Sequence, residues 1–412
     1  MLHILKGGGE TKAHPNKSSS KYRPDVNDLV KYYRSKGIVG EESVYILATI
    51  GLLAGNSFCI EGRSGTGKTK IADALMDLLP PKSVYSFDAS SDKSLIRDAE
   101  RLNKARVLYV PEMQNVFNSR YQTLVEVLKC LCAEKDFTYS GVAGGKSYEF
   151  RIRGDITFYT TLATENDFKP RIEYTRRMFQ LFTRLGEDVQ ERIIREKARA
   201  RYLPKADLDE ISAQELRALK VHASSLLYMP QIRVVNVFSD YIEGIIPREN
   251  TMVAAFIDKY FDLNEASGKF HYPLRILRKI NGNPILFLNI DDIVLIHSHY
   301  PPHFCRSLSN LDREHAYEED TVLRFQEDVD WQQCLDIGME IMRKYYPSVF
   351  DEWSSLQRLE GYIPQDQEQE NGLSFDEWST HFGVNPDQKL TPNQSDQRCQ
   401  FRIRINPEKP DN

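Results

Sequence analysis

The chain has 412 residues, of which 27% are charged and 41% hydrophobic, and a formal net charge of −5. That length leaves room for two or three domains with a sizeable core. The charge balance excludes a uniformly basic nucleic-acid coat, and no apolar run approaches the roughly 20 residues that span a bilayer, so no membrane insertion is expected.

The opening Met1-Leu-His-Ile-Leu-Lys6 is too short an apolar stretch for a signal peptide, and a cytoplasmic location is the expectation. Residues 1–24, with Gly7-Gly8-Gly9, Ser18-Ser19-Ser20 and several lysines, read as a disordered basic arm. Between Asp25 and Ser35, Val26, Leu29, Val30 and Tyr33 recur at helical spacing. A second helix from about Glu41 carries Val44, Ile46, Leu47, Ile50, Leu52 and Leu53, and delivers the chain to a strand at Phe58-Cys59-Ile60.

Next comes Gly62-Arg63-Ser64-Gly65-Thr66-Gly67-Lys68-Thr69, which satisfies G-x-x-x-x-G-K-[ST] between that strand and a helical stretch, Ile71 to Leu79. A glycine-rich turn of this spacing lets backbone N–H groups converge on phosphates, while the following helix points its positive end at them. Lys68 is expected to reach the β- and γ-phosphates and the Thr69 hydroxyl to ligate Mg²⁺, which makes ATP with Mg²⁺ the expected ligand. The earlier Gly7–Gly9 run has no lysine and no preceding strand.

Pro80-Pro81 stops the helix, and Ser83 to Phe87 is a short strand. Arg106 to Val110 is a buried-strand run followed by Pro111-Glu112, and Tyr121 to Cys132 is a helix with Leu124, Val125, Leu128 and Leu131 on one side. Phe137 to Ile152 has alternating arms around Gly141 and Gly144-Gly145, the pattern of a hairpin. A further strand, Ile156 to Leu162, leads into Ala163-Thr-Glu-Asn166. Strands alternating with helices predict an α/β core, over residues 25–186, with a parallel sheet covered on both faces.

From about Glu187 the chain reads as helices apart from a few short apolar runs, with a capping box of Ser212 and Glu215 opening one of them. A small helical domain over 187–305 is expected, then a C-terminal extension over 306–412 holding Trp331, Trp353 and Trp378. Within the extension, helices are expected near 330–346 and 374–382, a linker at Gln365–Asn371, and an edge strand or basic tail at Gln400–Ile405. Six cysteines, Cys59, Cys130, Cys132, Cys305, Cys334 and Cys399, form no C-x-x-C pair and read as reduced thiols. His297, His299, His303 and Cys305 are metal-capable, but their spacing fits no standard zinc pattern and reads as structural.

A phosphate loop needs a second signal, an acid at the end of a hydrophobic strand. Glu112 stands where a carboxylate orients or deprotonates the attacking water and supports Mg²⁺ through water. The aspartate that usually precedes it, and helps hold Mg²⁺, is Pro111 here. Either Glu112 serves alone or ATP binds and turns over slowly.

In this order the parts resemble an AAA+ ATPase, and within that superfamily the MoxR-like, dynein-related branch that shares its hairpin insertion with MCM helicases and magnesium chelatase. The resemblance covers roughly residues 38–305 and rests on Gly51-Leu-Leu-Ala-Gly55, the phosphate loop, Val110-Pro-Glu112, the 137–152 hairpin and Leu162-Ala-Thr-Glu-Asn166. It implies a P-loop NTPase sheet with a small helical lid, ATP hydrolysis, and a homo-oligomeric ring, a hexamer by analogy. It implies that Asn166 positions the water near the γ-phosphate and that Arg176 and Arg177 supply an arginine finger to the neighbouring subunit. Asp240-Tyr-Ile242 and Asn289-Ile-Asp-Asp-Ile293 match its lid helices; Arg275 matches the second sensor arginine, with Arg248 as the alternative.

Three partner readings follow. The first is a remodelling motor acting on a protein substrate or adaptor, with the tryptophan-bearing extension as the adaptor module. The second is a nucleic-acid translocase using Lys146, Arg151 and Arg153, with Tyr139 and Tyr148 as stacking surface; the bland reading of the same residues is a solvated hairpin face with cross-strand aromatic pairs. The third is a nucleotide-gated scaffold with little hydrolysis.

Overall fold

The computed structural model describes residues 23–87, 93–115, 122–143, 146–164, 177–184, 187–202 and 211–359. Most of the expected basic arm, Trp378 and the stretches at 365–371, 374–382 and 400–405 lie outside them.

Two helices open the described chain, α1 (Val26–Ser35) and α2 (Glu42–Leu53). All ten residues from Val44 to Leu53 are buried. A helix apolar on every side must be enclosed on every side, and α2 is packed between α1, the main sheet and the second half of the chain.

That sheet uses β1 (Phe58–Gly62), β2 (Val84–Ser86) and β3 (Val107–Val110), then, after a hairpin of β4 (Phe137–Ala143) and β5 (Lys146–Ile152), β6 (Thr157–Ala163) and β7 (Phe179–Phe182). Five of these strands pair in the order β2-β3-β6-β1-β7, all parallel. Alternation along the strands splits the burial between two cores. Phe58, Ile60, Val107 and Tyr109 join one with α1, α2 and α3 (Lys68–Leu78). Cys59, Leu108 and Val110 join the other with the short helices α4 (Ser94–Arg97) and α5 (Ala99–Leu102) and with α6 (Gln122–Cys132). The chain is thus mixed α/β, a parallel five-stranded sheet flanked by helices.

After α7 (Glu187–Tyr202), the capping box expected of Ser212 and Glu215 opens α8 (Ala213–Leu227), with Glu215 N–H donating to Ser212 Oγ at 3.2 Å. Besides the helices expected here, the second half of the chain contains strands. A three-stranded sheet, β8-β10-β9, is built from β8 (Arg233–Val235), β9 (Leu277–Ile280) and β10 (Asn283–Phe287). Its strands are short and partly exposed, so they present no long apolar run. The two-residue turn Asn281-Gly282, with φ of +52° and +81°, joins β9 to β10; positive φ at both positions is what asparagine-glycine tolerates best.

Around this sheet lie α9 (Ser239–Ile245), α10 (Val253–Phe270), α11 (Ile290–His299), α12 (Pro301–Leu311), α13 (Glu319–Glu327), α14 (Trp331–Tyr345) and α15 (Pro347–Leu359). One helix, α12, runs straight across residue 305, and one apolar core continues from Val26 to Trp353. Trp353 is fully buried, its indole N–H donating to Leu288 O at 2.8 Å, and Trp331 is buried beside His297. Both rings fill the interior of the fold.

His297 is buried with both ring nitrogens committed: Nε2–H donates to Phe325 O at 2.7 Å, so Nδ1 accepts from the Tyr260 hydroxyl, also at 2.7 Å. Among the described residues, no group of three or more His, Cys, Asp or Glu is arranged to hold a metal ion. Burial lowers the His297 pKa to about 4, whereas an unfolded histidine titrates near 6.5. Between these values the unfolded chain binds the extra proton, so this contribution to stability is complete above about pH 6.5 and is lost as pH falls towards 4. Urea unfolding of wild type and His297→Gln between pH 7.5 and 4.5 should show the wild-type curve falling more steeply, by up to about 1.4 kcal/mol per pH unit.

Candidate functional site

The phosphate loop leaves the C-terminal end of β1, a strand with parallel neighbours on both edges, and enters α3 at Lys68. Gly65 and Gly67 have φ of +82° and +88°, with nothing within 4 Å of where a Cβ would stand; only glycine adopts this backbone freely. Gly62 has a different constraint. A Cβ there would meet Thr183 Oγ1 at 1.9 Å, because Thr183, just past β7, packs on the loop. Its hydroxyl lies 2.8 Å from Thr66 Oγ1, and its N–H donates to Glu61 O at 2.9 Å.

The Lys68 ammonium folds back over the loop and donates to Gly62 O at 2.8 Å and Arg63 O at 2.6 Å. Arg63, Ser64, Gly65 and Thr69 are exposed, with Thr69 in the first turn of α3. Cation, helix N-terminus and exposed glycine backbone form a donor set suited to a polyphosphate.

Glu112 stands at the end of β3, separated from β1 only by β6. It is exposed and has φ +49°. For a residue with a side chain this costs about 1–3 kcal/mol and persists only where the surroundings enforce it. Thr161 Oγ1 accepts its N–H at 3.2 Å, and Asn115 Nδ2 donates to its carboxylate at 2.8 Å. Thr161 thus fixes the backbone of Glu112 and Asn115 its carboxylate, at the end of the sheet that carries the loop.

Asn166 and Arg176 lie outside the described residues. Arg177 is exposed, and its guanidinium donates to Lys129 O at 3.3 Å, near the end of α6. Arg248 pairs with Glu243. Arg275 is not presented to the loop. Its guanidinium is buried against Asp292, with Nε donating to Oδ2 at 2.8 Å and Nη2 to Oδ1 at 3.1 Å. Ser267 and His271 donate to the same carboxylate. Burial alone would push the Asp292 carboxyl up, but Arg275 and His271 more than offset it and hold it well below the usual carboxylate range. Arg275 is thus held in a buried ion pair.

The arginine that the second half of the chain brings to the loop is Arg306 on α12. It stacks over the Phe182 ring at 4.3 Å, and Phe182 is the register partner of Glu61, the residue before Gly62. Burial raises the Glu61 carboxyl, while Arg306 and Lys68 both pull it down. One turn earlier, His303 Nδ1 accepts the Phe182 N–H at 3.0 Å. Positions i and i+3 of one helix thus hold the same residue of β7. That spacing was present in Pro301-Pro-His-Phe-Cys-Arg306 but carries meaning only once α12 is known to lie on β7.

On the hairpin, Tyr139 and Tyr148 are half-buried on one face, with Tyr148 laid over Gly141, where a Cβ would come within 2.5 Å of its ring. Arg151 pairs with Asp136, and Arg153 with Asp155. The aromatics are cross-strand packing, and these two cations already have carboxylate partners.

No protein-family model matches the chain, and no curated protein matches it.

Two substitutions separate support from display. Arg275→Ala leaves Asp292 buried without its counter-charge and should cost about 3–5 kcal/mol of stability in urea unfolding. Gly62→Ala forces the loop away from Thr183 and should cost about 1–3 kcal/mol, and adding Thr183→Ala should recover part of that loss.

Proposed function

We propose that the chain is an ATP-dependent AAA+ motor that remodels a protein partner, with its nucleotide at the loop Gly62–Thr69. One observation carries the reading: the loop leaves a central parallel strand into a helix N-terminus while a strained, aimed carboxylate, Glu112, ends the strand one removed. Ligands of open parallel sheets bind at the carboxyl ends of the strands.

Phosphoryl transfer leaves little covalent work to the protein, so positioning and positive charge do most of it. In this reading Lys68 exchanges its loop carbonyls for phosphate oxygens, and Arg306 leaves Glu61 for the same charge. Glu112 orients the attacking water and accepts its proton. Mg²⁺, held by Thr69 and through water by Glu112, would draw charge from the β- and γ-phosphate oxygens. Arg177, exposed at the end of the sheet-bearing unit, is the arginine offered to a neighbouring subunit in a ring, with Arg176 beside it in sequence and Asn166 on the water. A protein partner is preferred to nucleic acid because Arg151 and Arg153 are already paired and the hairpin tyrosines face inward.

Phosphate release from Mg·ATP, measured against protein concentration, tests this. Specific activity should rise with concentration and vanish in Lys68→Ala, while Glu112→Gln keeps ATP binding and loses about 10²–10⁴-fold in rate. Wild type that binds ATP but releases phosphate no faster than Lys68→Ala would replace the motor with a nucleotide-gated scaffold.

A further inference from the structure

At the opposite end of β1 from the phosphate loop is a second concavity of about 680 Å³, within the roughly 300–1,000 Å³ typical of ligand sites. Gly55 and Asn56, just before β1, form one side. The segment between α8 and β8 and the turn joining β9 to β10 form the others. Both halves of the chain therefore contribute walls.

Four charged residues line it: Glu134 and Asp262, Arg233 and Lys269. Among the described residues none of these four side chains has a hydrogen bond or an ion pair within 4.0 Å. Asp262 is reached by water through the mouth, yet the protein packed round it raises its carboxyl, and Asp258 and Glu134 add like charge, against Lys259 and Lys269. Glu134 and Asp262 set two carboxylates on the walls of one cavity, to which a shared cation can be attracted. Among the described residues the side-chain amides of Asn56 and Gln231 have no hydrogen-bond partner either, and each offers both donors and an acceptor. Leu226 and Ile285 supply apolar wall for an aliphatic stem.

We propose that this cavity binds an extended peptide segment of a partner protein, taking an arginine side chain between Glu134 and Asp262. A guanidinium suits two carboxylates because its donors form a planar fork. The flanking peptide groups match the unpaired amides. Arg233 and Lys269, on the same walls, repel a simple polycation and favour a ligand that carries carbonyls as well as positive charge. The site is separate from the phosphate loop and needs no nucleotide.

The test is fluorescence anisotropy of a fluorescein-labelled Gly-Gly-Arg-Gly-Gly amide titrated with the full chain. Saturable binding is expected, weakened about tenfold or more by Asp262→Asn, weakened by Gln231→Ala on the facing wall, and unchanged by Lys68→Ala. Thermal melts of both cavity variants accompany the titration, and either variant alone is a sufficient readout. No saturation below about 1 mM, binding indifferent to both variants, or equal binding of spermine or of the same peptide with glutamate for arginine would overturn the assignment. Loss of binding in Lys68→Ala would overturn the separateness of the two sites, whatever the outcome of the phosphate-release measurement.

Discussion

Parallel pairing on both edges of β1 is the constraint from which the candidate site follows. A strand held by β6 on one side and β7 on the other cannot shift its end without breaking two ladders, so the phosphate loop starts from a fixed point. The loop must then turn immediately, past Thr183 at the end of β7. Only a residue with no Cβ fits at Gly62, because the Thr183 hydroxyl occupies that space. The glycine that opens the motif is thus required by sheet packing, and the glycines inside it by backbone conformation.

Two arginines from the same half of the chain show how environment decides role. Arg275 faces a fully buried carboxylate that also takes bonds from Ser267 and His271. Removing one partner of such a pair strands a charge in the interior, a cost of several kcal/mol that no ligand contact readily offsets. Among the described residues, Arg306 has no such bond to break. It lies over an aromatic ring, a contact worth about 0.5–1 kcal/mol where water reaches it, with Glu61 as its nearest attraction. Of the two, Arg306 is the one that can turn to a phosphate.

Much of the sheet was legible because buried parallel strands are continuous apolar runs. Phe58-Cys-Ile60, Val107 to Val110 and Ile156 to Leu162 announce themselves, and the alternation either side of Gly141 announces the hairpin. The strand Phe179–Phe182 gives little signal because it is only four residues long and follows directly on the charged Arg176-Arg177. The small sheet was missed for a different reason. Three to five residues per strand, with Leu277, Arg278 and Lys279 exposed, leave no periodicity to read, although Asn281-Gly282 was a hairpin signal in its own right. Arg306 was not legible at all, since nothing local to α12 says which strand it will lie on.

The phosphate loop and the second cavity stand at opposite ends of one strand, yet β1 is a poor messenger. Coupling needs an element with two arrangements, and a strand paired on both edges beneath the fully enclosed α2 has one. What the two sites share is the second half of the chain. It reaches the loop through His303 and Arg306 on α12 and walls the cavity through the β8 and β9–β10 segments. A ligand at either place can shift the balance only by binding one placement of that half better than another. Because α10 and α12 lie in one continuous core with the small sheet, any coupling between Arg306 and the cavity wall would run through that core, and by linkage it would be equal in both directions.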